Sequence, residues 1–169
     1  MTILAATDID AFYQAIASVS FVLAGLWWVA AQIKYEEWRA DPVKARHAYG
    51  IAMYFVLPGL MAMMASVNSD ISLLWRLAFG LTAALGVLEA VLYLRTGGRR
   101  SGVQLALRVA GGAVYLLILI VAIRPRLAAD LGLSLKPREV EAVLLTVLLF
   151  LAANIAWFGL IESSDTAGA

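Results

Sequence analysis

Apolar runs about twenty residues long recur along the chain, and short connections between them hold nearly all the charge. The runs cover 11–33, 47–67, 71–94, 103–123 and 140–161, and Leu, Ala, Val, Gly and Ile dominate them. A half-buried strand would alternate apolar and polar residues, and these runs do not. A bilayer core of about 30 Å takes roughly 20 apolar residues of helix. Lipid offers no partner to the backbone, so a spanning segment must satisfy its own hydrogen bonds. The pattern therefore predicts an all-α, polytopic integral membrane bundle of about five transmembrane helices. One membrane domain covers 1–169.

Punctuation between the runs agrees. Asp41-Pro42 breaks the first connection, Asn68-Ser69-Asp70 forms a polar turn, Thr96-Gly97-Gly98 ends the third run, and Lys136-Pro137 precedes the fifth. Tyr13, Trp38, Tyr49, Trp75, Tyr93 and Trp157 lie near run ends, as an interfacial aromatic belt would. Residues 126–135 could add a short interfacial helix with Leu127, Leu131 and Leu135 on one face. Met1 to Asp10 has no basic stretch and carries Asp8 and Asp10. It does not read as a signal peptide, and the first span is expected to stay in the mature protein.

Charge sets an expected orientation. The first connection holds Lys34, Arg39, Lys44 and Arg46, and the third holds Arg95, Arg99 and Arg100. The positive-inside rule places both in the cytoplasm and the N-terminus outside. Five crossings then put the C-terminus in the cytoplasm, in the cell (plasma or inner) membrane. The fourth connection breaks the rule, because Arg124, Arg126, Lys136 and Arg138 fall outside. Either those four charges meet an external anionic lipid or partner, or 103–123 is re-entrant and turns back near Gly111-Gly112.

Composition narrows the chemistry. Apolar residues make up 63% and charged residues 15%, against about 45–50% and about 25% in soluble domains. A net charge of +1 and the lack of a basic, aromatic-interleaved patch exclude a nucleic-acid partner. Without cysteine and with His47 alone, the chain lacks thiolate sites and paired imidazoles, so no metal or cofactor is expected. Nucleophile elbow, phosphate-binding loop and dinucleotide fingerprint are all missing. That inventory points away from an enzyme, with no catalytic residue assigned.

Two charges interrupt the runs. Glu89 and Arg108 flank the third connection at equal depth, about 7–8 Å from its end, so an ion pair between them is feasible. Thr82, Gly86, Glu89 and Tyr93 share one helix face, and Gln104, Arg108, Gly111 and Tyr115 share another; small and polar residues mark helix contacts in lipid. Asn154, Gln32, His47 and Tyr54 could complete a polar layer in the cytoplasmic half. The pair either fixes helix register or serves an ion or ligand pathway, with Glu89 as proton or cation site and Arg108 as counter-charge.

Two functions follow as expectations. The first is a non-enzymatic transport or channel-type subunit, or the membrane component of a larger complex. It would be surrounded by membrane lipids and assembled as a homo-oligomer or with another membrane protein. The second is a lipid- or amphiphile-handling membrane protein, with an enzyme left open, using the basic loop 124–138.

Overall fold

The structure, a computed structural model, describes residues 2–67, 72–95, 102–125, 132 and 136–165. These form α1 (Thr2–Ile33), α2 (Tyr35–Ala40), α3 (Pro42–Val67), α4 (Ser72–Arg95), α5 (Gly102–Ile123) and α6 (Pro137–Asp165). All except the six-residue α2 are long and apolar enough to cross a membrane. The all-α, five-span expectation stands at that level. The turn 68–70, Thr96-Gly97-Gly98, Arg126 and nearly all of 126–135 lie outside the described residues.

Local chemistry sets the helix starts. Asp41 ends α2 and caps α3, its Oδ1 accepting from the N–H of Val43 (2.9 Å) and of Lys44 (3.4 Å). Pro42 follows as the first helical residue, where its missing N–H costs nothing. At α6, Pro137 plays the same part, and Glu139 Oε2 accepts from the Lys136 N–H at 2.8 Å. Both helices therefore begin earlier than the apolar runs do. Arg46 is consequently a residue of α3 and not of the first connection.

End-to-end contacts show that the five long helices alternate in direction. Trp27, late in α1, donates to the carbonyl of Ala48, early in α3 (2.9 Å). Arg76, early in α4, donates to the last carbonyls of α5, Ala122 (2.9 Å) and Ile123 (3.1 Å). Helix α5 runs unbroken through Gly111-Gly112, so the re-entrant alternative falls. A glycine pair need not break a helix when neighbours pack against it.

Helix α3 is central. It packs against α1, α4 and α6, while α5 joins α4 to α6 and α1 closes onto α6. Small residues permit the close approaches. The Tyr115 ring lies on Gly86, the Tyr54 ring lies on Gly111, and Ala90 meets Gly112. On α5 the residues Gln104, Arg108, Gly111, Tyr115, Ile118 and Ala122 are buried, the helical period of an inward stripe. The outer surface carries exposed Leu, Val and Ile on every long helix, as lipid contact requires.

Of the six aromatic residues near run ends, Tyr49 and Trp157 are exposed. Tyr13, Trp38, Trp75 and Tyr93 are buried instead. Trp38 folds α2 back so that its ring stacks on Trp27, centroids 5.8 Å apart.

Candidate functional site

The ionisable residues of the bundle gather at its two ends. At the end where α3 and α5 begin and α4 finishes, six residues surround one small cavity: Arg46, His47 and Gly50 of α3, Glu89 and Tyr93 of α4, and Arg108 of α5. Its volume is about 10 Å³, room for one water-sized species.

Arg108 is the buried charge of this group, 3% exposed. Its guanidinium lies over the Tyr93 ring at 3.9 Å and near the Tyr54 ring at 5.9 Å. Such a stack places the cation on the negative face of the ring and is worth about 2 kcal/mol when desolvated. Gly50 leaves the space: a Cβ there would sit 3.3 Å from an Arg108 Nη. The Tyr54 hydroxyl donates to the Arg108 carbonyl at 3.3 Å, and the His47 ring packs on Tyr93 at 4.9 Å. Glu89 forms an ion pair at 3.6 Å with Arg46. The α5 face expected from the sequence is buried as a whole, and Glu89, His47, Tyr54 and Arg108 come together.

Two expected members do not join them. Gln32 is exposed near the end of α1. Asn154 turns its amide back onto its own helix, donating to the Phe150 carbonyl at 2.8 Å. A self-directed bond of this kind satisfies a polar side chain in an apolar helix without a tertiary partner.

The opposite end holds a second cluster that sequence reasoning missed. Arg138 of α6 pairs with Asp10 of α1 at 2.6 Å. The same Nη2 donates to the Ala65 carbonyl of α3 at 3.0 Å. The Tyr13 hydroxyl donates to the Arg138 carbonyl at 2.6 Å, and the guanidinium lies 5.3 Å from the Tyr13 ring. One side chain thus ties three helices. One turn along α6, Glu141 is fully buried. Among the described residues neither of its carboxyl oxygens accepts a hydrogen bond. The Trp75 indole, the Arg138 guanidinium and the Tyr13 hydroxyl are polar groups that bear on it.

Of the four basic residues expected to meet an external anion, Arg138 is therefore committed to the bundle, while Arg124 and Lys136 are exposed. The signal for Glu141 was its register: it lies on one face with Leu145, Leu148, Ala152 and Ile155, all buried. That face is invisible in a helix that is apolar all round. Along α5 the layers of Arg108 and Ala122 stand about 21 Å apart. No group of three or more His, Cys, Asp or Glu residues suited to a metal ion occurs among the described residues.

Comparison of the chain with protein-family models, with curated proteins and with solved structures gave no match.

Proposed function

We propose that the chain is a non-enzymatic, multi-pass protein of the cell membrane that acts as a small transport or channel-type subunit, alone as a homo-oligomer or within a larger complex. Its N-terminus faces outside and its C-terminus the cytoplasm, by the charge of the first and third connections. The observation that carries the transport reading is the cluster at the Arg46–Arg108 end. There an ion-paired carboxylate borders a cavity that also touches a buried, stacked guanidinium. Ionisable groups inside a membrane bundle are costly and mark pathways.

Size selects the species. A cavity of about 10 Å³ takes a water molecule and is too small for a hydrated metal cation. The reading narrows accordingly to proton exchange at Glu89, with Arg46 and Arg108 as counter-charges.

The test is proton flux into liposomes holding the purified chain and a trapped pH dye. Wild-type protein conducts, and Glu89→Gln abolishes conduction while helicity is retained. Equal flux from the variant removes Glu89 from the pathway, and absence of flux from the wild type overturns the transport reading itself.

A further inference from the structure

The seam between α4 and α5 is closed at one level and open at another. At Gly86 the two helices touch so closely that an added Cβ would meet the Tyr115 ring. At Gly80, nearly two turns away, an added Cβ would meet nothing within 4 Å. Between that level and the α5 C-terminus lies a groove of about 320 Å³, lined by Leu73, Leu77, Gly80 and Leu81 of α4 and by Ala122 and Ile123 of α5. Its leucines are 63%, 51% and 67% exposed at 73, 77 and 81, so the groove opens onto the apolar outer surface.

Among the described residues, Arg76 is the one charged residue lining this groove. Its Nε and Nη2 hold the carbonyls of Ala122 and Ile123, which fixes the guanidinium at the helix end. A guanidinium has five N–H donors. Two are used by described residues, and no carboxylate among the described residues pairs with this side chain. Arg124, exposed, follows directly on α5. An apolar trough under a fixed cation, two of whose five donors are used by described residues, matches a molecule with a long hydrocarbon tail and an anionic head.

We propose that this groove binds one acyl chain of an anionic phospholipid, whose phosphate accepts hydrogen bonds from Arg76 with Arg124 alongside. Guanidinium favours phosphate through paired, charge-assisted hydrogen bonds, and the absence of a side chain at Gly80 makes room for the tail. The site lies at the Asp10–Arg138 end and does not depend on proton exchange at Glu89. It also shifts the lipid-contacting charge away from Arg138, which is occupied within the bundle.

The test is native mass spectrometry of the full chain reconstituted in bilayers of equal phosphatidylglycerol and phosphatidylcholine, then released in mild detergent. Wild-type protein retains one phosphatidylglycerol per chain in preference to phosphatidylcholine. Gly80→Phe fills the trough and lowers retention of that lipid at least about fivefold. Arg76→Gln removes the anionic preference, also about fivefold, on the scale of one arginine at a charged surface. Far-UV ellipticity checks folding; should Arg76→Gln unfold because α5 loses its terminal contacts, Gly80→Phe decides alone. Equal retention of the two lipids by the wild type overturns the proposal. So does unchanged retention in Gly80→Phe. A lipid-free dimer that Gly80→Phe dissolves overturns it in favour of a second copy of the chain as occupant.

Discussion

Replacing Gly86 by alanine adds one methyl group where there is no room for it. The added Cβ would collide with Cγ, Cδ1 and Cε1 of Tyr115. These are ring atoms near the side-chain root, so a small torsion cannot move them aside. Nor can the ring retreat as a body, because Tyr115 is fully buried with the Tyr54 ring at 5.7 Å, and Tyr54 itself rests on Gly111. Relief therefore demands that α4 and α5 separate. Overpacking of this kind costs about 1–3 kcal/mol. Alanine also favours the helix over glycine by about 1 kcal/mol, which offsets part of the loss. Gly80→Ala in the same helix supplies the control, since nothing stands within 4 Å of its new methyl group. The propensity gain is common to both variants, so their difference isolates the steric cost, about 1–3 kcal/mol. Reversible unfolding in mixed micelles, followed by ellipticity on titration with sodium dodecyl sulfate, measures both. Gly86→Ala is expected to be the less stable of the two, and Gly80→Ala equal to or more stable than wild type. Equal stabilities would refute the close approach of α4 and α5 at this level.

Other expectations concern the two charged ends. A double-mutant cycle on Asp10→Asn and Arg138→Gln should give a coupling of about 1–3 kcal/mol in the same unfolding assay, since the pair is short and partly buried; a coupling near zero would show that the two residues do not meet. Arg108→Lys keeps the charge but loses the flat stack on Tyr93, and should cost about 1–2 kcal/mol. If lysine proves as stable as arginine, charge alone and not the stack holds that position.

Much of the architecture was legible along the chain. The length and uniform apolarity of the runs determine five helices able to cross a membrane, because neither a strand nor a soluble helix carries such a composition. The inward face of α5 was legible too: Gln104, Arg108, Gly111 and Tyr115 stand out against an apolar background at helical spacing, and all four are buried. The same logic failed on α6, where Glu141 stands alone on an otherwise apolar face, and for Asn154, whose polarity is absorbed by its own backbone.

Pairing between elements was decided only in three dimensions. Glu89 and Arg108 flank one turn, and equal depth suggested that they pair; yet the ion pair observed for the carboxylate is with Arg46. That contact exists because the Asp41 cap starts α3 early enough to carry Arg46 along the bundle end. Asp10 and Arg138 are 128 residues apart, and nothing in either segment names the other. Their meeting follows from α1 closing onto α6. Composition and periodicity act along one helix and so determine which segments span and which faces turn inward. Ion pairs, stacked rings and grooves depend on the distance between helices, and that distance is set by where glycine or alanine lets two backbones approach.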